Sequence, residues 1–314
     1  MARQNFPVKF ENDHYDLKKF MRDHPGGVNT LKNYRGMSIA HAMEKFGHSN
    51  SAYHMLNDFK VDSGGLKDVN LTGAVSQAGR IITKEEAARD LEEIDRLDWS
   101  KPLLSQLDAI APHYDKWVNC AVYRKCRLFA SPLLESLTYT PWYLVPVFWV
   151  PIILYLAATQ YLELGVLLWT ALEYSLHRWV FHLNPGASAT MIKLHFLIHG
   201  MHHKVPFDGL RQVFPPVPAF FLAAILYTFL KPILSYSLLK LVGGLVGYLI
   251  YDMIHYYVHH GSPRDGTYLY AMKRYHSNHH FINHNKAFGI SSNIWDHVFR
   301  TFVRVKNLGF SLHW

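Results

Sequence analysis

The chain has 314 residues, 49% of them hydrophobic and 18% charged, which excludes a disordered protein. Its formal charge of +8, from 32 basic and 24 acidic residues, is not gathered into the dense Lys/Arg tract of a nucleic-acid binder. Two cysteines, Cys120 and Cys126, exclude a disulfide scaffold and a Cys-rich zinc or iron–sulfur centre. Histidine is the outlier, with 21 residues unevenly placed.

The opening MARQNFPVKF has no apolar run, so no cleavable secretory signal is expected. An amphipathic stretch, YDLKKFMRDHPGG (15–27), closes on His24, and Gly47-His48-Ser49 places a second histidine 24 residues on. Two imidazoles arriving on opposite faces can hold a haem axially. Such ligation leaves no open iron position, so a haem there carries electrons and does not activate oxygen. His41 and His54 compete with His48 but lack the Gly-His-Ser context. Residues 28–46 read as short helices walling the pocket. Residues 62–98 read as a solvated linker, in which Thr83 and Glu86 form a capping box opening the charged helix KEEAARDLEEIDRL.

Residues 136–162 and 212–230 carry no charge, LGVLLWTAL (164–172) follows the first run, and 232–257 carry only Lys240 and Asp252. A spanning helix needs about 20 apolar residues. Two helical hairpins are expected, with spans near 139–160, 162–181, 212–231 and 233–257. Pro146 and Pro151 would kink the first, and the Gly243/Gly247 pair marks tight packing in the fourth. Basic residues flank the hairpins, whereas the tips hold only Lys231. The positive-inside rule then puts both termini and the middle loop in the cytosol, where the two cysteines would stay free thiols. A buried helical core in a soluble protein is the alternative that this charge placement disfavours.

Thirteen of the 21 histidines fall within 177–203 and 255–284. His177 and His182 end the second apolar run, and His255 and His259 end the fourth. His199, His202 and His203 form one HxxHH, and His276, His279 and His280 another. Positions three and four apart share a helix face, so each HxxHH is expected to form one stripe. His177 and His182, five apart, lie about 140° round an α-helix and must straddle the site or sit at a helix end. All four groups map to the cytosolic edge of the spans. Ten neutral imidazoles suit two metals at five each, and an all-His dinuclear site at a membrane surface points to oxygen chemistry on a lipid. Iron is expected, because zinc has no redox chemistry and would give an inactive form. His195, His260, His284 and His297 are weaker ligand candidates. Asp252, three before His255, is a candidate for orienting a ligand or binding substrate.

These motifs carry a resemblance. Residues 6–61 resemble a cytochrome b5 domain, with His24 and His48 matching its haem ligands, although the unit starts close to YDL and shows little of the leading strand. Residues 99–314 resemble the fatty acid hydroxylase superfamily, and the order of the boxes with DWSKPLLSQL (98–107) looks like its fatty acid 2-hydroxylases. The resemblance implies a mainly α fold. A four-span membrane domain with a cytosolic helical cap would hold the dinuclear His site, and a small α+β unit would hold haem b. It implies an endoplasmic-reticulum enzyme acting on C2 of long-chain fatty acids destined for ceramides, with the family's metal ligands falling on the ten histidines. A free acid, an acyl-CoA and a ceramide stay open as substrate. Oxygen, an NAD(P)H-dependent reductase of the cytochrome b5/P450 type and the bilayer are the implied partners. A fatty acyl desaturase and a sterol or sphingoid-base oxidase share the box logic; the extra HxxxH at 255–259 and the fused haem unit disfavour them. Outside enzymes, a membrane haem and metal-storage or sensing protein is the rival.

Overall fold

The computed structural model describes residues 5–61, 96–157, 163–230, 232 and 237–305. The expected linker helix lies outside the described residues, as does Lys231.

The N-terminal unit is a three-stranded antiparallel sheet faced by short helices. Strand β1 (Pro7–Phe10) pairs with β2 (Asp13–Asp16) in the register Pro7↔Asp16 to Phe10↔Asp13, and β3 (Lys60–Val61) adds to β2. A leading strand of four residues is therefore present, where the sequence leads one to expect little of it. Its PVKF is too short for alternation to stand out. Helices α1 (Val28–Lys32), α2 (Ala40–Lys45) and α3 (Asn50–Leu56) close over Val8, Phe10, Tyr15, Leu31, Met43 and Leu56.

The rest is helical. After 3₁₀ turns over 103–113 come α4 (Tyr114–Val118), α5 (Pro132–Ser136), α6 (Leu144–Ala157) and α7 (Glu163–Ser175). Next are α8 (Ala189–His195), α9 (Met201–Lys204), α10 (Pro216–Leu230) and α11 (Ser237–His260). The last are α12 (Tyr268–Phe281) and α13 (Ile294–Val298). Ser188 and Thr267 cap α8 and α12 through their hydroxyls, and Ser131 with Pro132 starts α5. Helix α11 is the central pillar, packed on α6, α7 and α12. A Cβ on Gly247 would lie 2.5 Å from Trp169 Cβ and Cγ, so the absent side chain lets α7 and α11 approach. Buried Arg211 donates to Asp208 of its own segment, to Glu135 of α5 and to the Cys126 carbonyl, tying these segments together.

All four apolar runs are helical, but among the described residues no helix is by itself long and apolar enough to cross a membrane. Within the described residues α6, α7 and α10 have 14, 13 and 15 residues, and the 24 residues of α11 end in DMIHYYVHH. Pro151 lies inside α6.

Candidate metal centre and haem cleft

The ten box histidines converge into two groups of five. His177, His182, His199, His203 and His279 form one; His202, His255, His259, His276 and His280 form the other, and within each the donor nitrogens lie within 4.8 Å of one another. Neighbouring Nε2 atoms in the first are 3.0–3.2 Å apart (His177–His199, His199–His182, His203–His199, His279–His182). In the second they are 2.9–3.1 Å apart (His255–His202, His255–His276, His276–His259, His280–His276). Metal–imidazole bonds of about 2.0–2.1 Å at right angles separate adjacent donors by about 3 Å. The donor sets thus fit two ions with nitrogen ligation.

Local structure explains the convergence. Residues 176–181 and 196–200 wind as π-helix. In the first π turn His182 N–H donates to His177 C=O at 3.1 Å, which stacks residues five apart. Of the two expected placements the helix end holds: His182 is the C-cap of this turn, and the wider winding puts both rings in one group, centroids 5.1 Å apart. The single-stripe reading of HxxHH is corrected as well. His199 and His203 face one group and His202 the other, while His276 and His280 face the second and His279 the first. Each box is split because adjacent residues diverge by about 100° on a helix.

The rings are held neutral and aimed. Burial, then neighbouring imidazoles, pushes His199, His202, His203, His276 and His280 well below the ordinary histidine value. His177 Nδ1–H donates to Phe288 C=O at 2.5 Å and His279 Nδ1–H to Lys286 C=O at 2.7 Å, leaving both Nε2 lone pairs inward. The loop supplying those carbonyls is clamped by two buried carboxylates. Asp296 accepts from Phe288 N and Gly289 N at 2.9 and 2.8 Å, and Glu173 accepts from Ile290 N and Ser291 N at 2.9 and 2.8 Å.

A cavity of about 410 Å³ lies between α6, α7, α10 and α11. Two of its lining residues, Phe181 and Tyr251, stack on His199 and His255 with centroids at 5.2 and 5.7 Å.

In the N-terminal unit His24 and His48 line one cavity, ring centroids 6.1 Å apart. His24 Nδ1 accepts from Gly26 N–H at 3.2 Å and lies 3.1 Å from Thr30 Oγ1, while His48 Nδ1–H donates to Met43 C=O at 3.0 Å. His48 Nε2 therefore keeps its lone pair, and two imidazoles sharing one apolar cavity fit a haem held between them. Gly27 (φ 83°) and Gly47 (φ 65°) explain the glycines of the two motifs, since side chains are strained there. Burial pushes His24 down to about 3.

Residues 162–301 match the family model for fatty acid hydroxylase, and 9–63 match the cytochrome b5-like haem/steroid binding domain. The fatty acid 2-hydroxylase of Mus musculus is 38% identical over 92% of this chain and 89% of its own. The chain belongs to the fatty acid 2-hydroxylase family. A dihydroceramide fatty acyl 2-hydroxylase of Arabidopsis thaliana is 37% identical over 67% of this chain and 94% of its own. A solved structure titled full-length scs7p, with only its hydroxylase domain visible, aligns with a TM-score of 0.62 at 32% identity over 69% of this chain and 89% of that one.

In this hydroxylase the weaker candidates stand apart from both groups of five. His195 bonds Tyr114 Oη at 2.8 Å, His260 lies 3.9 Å from Asp23, and His297 stacks on Phe302 at 3.9 Å. His284 belongs to neither group. Asp252 Oδ1 accepts from Phe214 N at 3.4 Å, and among the described residues no imidazole hydrogen-bonds to it. Sequence reasoning missed Glu173, Asp296 and the 286–291 loop. Their signal is weak, because a carboxylate on a helix reads as a solvated group until packing buries it.

Proposed function

We propose that this protein is a membrane oxygenase that uses O2 to hydroxylate C2 of long-chain fatty acids, free or carried as acyl chains of ceramide-type lipids. The observation that carries the reading is the apolar cavity lined by Phe181 and Tyr251, one against each imidazole group. The names of the relatives support the position and the substrate class.

His177, His182, His199, His203 and His279 would hold one ion, and His202, His255, His259, His276 and His280 the other. His24 and His48 would hold haem b. When bound, iron at the paired sites supplies oxygen chemistry and the haem supplies electrons received from an NAD(P)H-dependent reductase. The chain's own residues do the positioning. C2 adjoins the acyl carbonyl, so the head group must stay beside the imidazoles while the tail runs among Trp149, Leu172, Leu222 and Leu245. That lining excludes water from the tail. Asp252, buried three residues before His255, is kept as a supporting residue on that helix.

The four apolar runs are proposed as membrane spans with both termini on the cytosolic side of the endoplasmic reticulum. Val147, Leu154, Leu167, Val217, Phe221 and Phe229 face outward from α6, α7 and α10, an apolar surface that lipid would cover. The proposed units are 6–61 for haem, 62–98 as linker and 99–314 for the hydroxylase. Leu97, buried with Leu103 and Trp117, supports moving the last boundary back by two residues.

The test supplies protein-containing membranes with a long saturated fatty acid, reductase, NAD(P)H and ¹⁸O2, and locates the label by mass spectrometry after lipid hydrolysis. Label in a C2 hydroxyl is expected. An unlabelled double bond would make it a desaturase, and no lipid product with haem reduced and metal present would sink the reading.

A further inference from the structure

Helix α12 has two working faces. His276, His279 and His280 point to the paired imidazole groups. Arg274, Ser277, Asn278 and Phe281 line the His24/His48 cavity, with Ile282 and Val305 beside them. Tyr270, Arg274, Ser277 and Phe281 are spaced by four, three and four, so they form one stripe on the side away from the metal centre. The outer wall of the haem cleft is thus built by the helical body.

The N-terminal unit is seated against this wall by polar contacts. Tyr123 N–H and Arg124 Nε–H donate to the two oxygens of Asp58 at 2.8 and 2.6 Å. Tyr123 Oη donates to Asp23 at 2.9 Å, one residue from His24, and Tyr270 Oη donates to Gly26 C=O at 3.3 Å. Ala121, on the body, is fully buried in the core of the N-terminal unit.

The cavity lining is apolar apart from its imidazoles and a few hydroxyls and amides, and among the described residues its one charged member is Arg274. A haem carries two carboxylates. Placing them in an apolar cleft without a counter-charge is costly, and a guanidinium is the planar donor that pairs with carboxylate through two hydrogen bonds.

We propose that Arg274 binds the haem carboxylates, so that the haem is held jointly by His24 and His48 of the N-terminal unit and by α12 of the body. The inference rests on the haem reading of His24 and His48. It makes α12, about 10 Å thick, the common wall of both cofactor sites. It also gives the contacts at Asp23 and Gly26 a role: they hold the His24/His48 cleft against the helix that carries the metal-binding imidazoles.

The experiment measures haem loss from the full-length, haem-loaded protein in detergent, using excess apomyoglobin as scavenger. Arg274→Glu is expected to lose haem about tenfold faster, a change of about 1.4 kcal/mol, with metal content unchanged. Arg274→Gln should move the same way by less, and serves if the charge reversal disturbs the helix. Both proteins are then loaded with haem dimethyl ester, whose carboxylates are masked. The difference between parent and variant should vanish. Equal loss of unmodified haem from parent and both variants overturns the proposal, as does an Arg274 effect of the same size with the ester, which would mean a structural role. A parent that takes up haem without a bis-histidine spectrum would overturn the haem reading itself.

Discussion

The two cofactor sites of this chain are built in opposite ways. The haem cleft takes its two imidazoles from 25 residues of chain, one three residues before Gly27 and one directly after Gly47, both glycines at positive φ. The metal centre draws ten imidazoles from four segments between His177 and His280. The ligand pair of the first site is written in local backbone conformation and the second site in tertiary packing, so the first should tolerate loss of a metal-binding imidazole and the second should not.

The largest effect tests that separation. His279→Ala should abolish hydroxylation and lower bound metal below two per chain by elemental analysis, with an unchanged haem spectrum. Loss of haem in that variant would mean that the two sites fold as one. The reciprocal change, His24→Ala, should remove the bis-histidine spectrum and reductase-driven turnover while metal content holds. Smaller is Asp296→Asn, which loosens the loop that aims His177 and His279. Loss of such supporting contacts costs about 10–100-fold in metal affinity, and competition with a chelator should find that loss for one of the two ions. A uniform loss of both would make Asp296 merely structural.

The smallest effect lies at the cavity. A Cβ on Gly244 meets nothing within 4 Å, and Gly244 lines the acyl cavity, so Gly244→Leu should fill its depth without disturbing α11. Each methylene excluded from an apolar pocket is worth about 1–3 kcal/mol. Product analysis on mixed fatty acids should show a shift toward shorter chains, with total metal unchanged.

Much of this was legible in the sequence, for reasons that differ by region. His24 and His48 stand out because glycine-histidine contexts are local. The ten box histidines stand out by number and spacing, and their even split between two groups followed from coordination chemistry. Which histidine joins which group was not legible, because it depends on two π turns that hydropathy does not mark and on adjacent residues diverging around a helix. Glu173 and Asp296 were hidden for a related reason: their partners are backbone amides of one loop, and for Glu173 those amides lie 117 and 118 residues away in the chain, a contact that only folding creates. The four apolar runs were legible as helices, and the polar, histidine-rich end of α11 was legible too.

The splitting of adjacent histidines has one more consequence. His202 and His203 are neighbours in the chain yet belong to different groups, and so are His279 and His280. An ion captured by one group therefore fixes the backbone that presents donors to the other. The first ion to bind spends part of its binding free energy on ordering this shared backbone, and the second meets donors already in place. Loading should be cooperative, with apo and two-metal forms predominating in partial titrations and the one-metal form scarce.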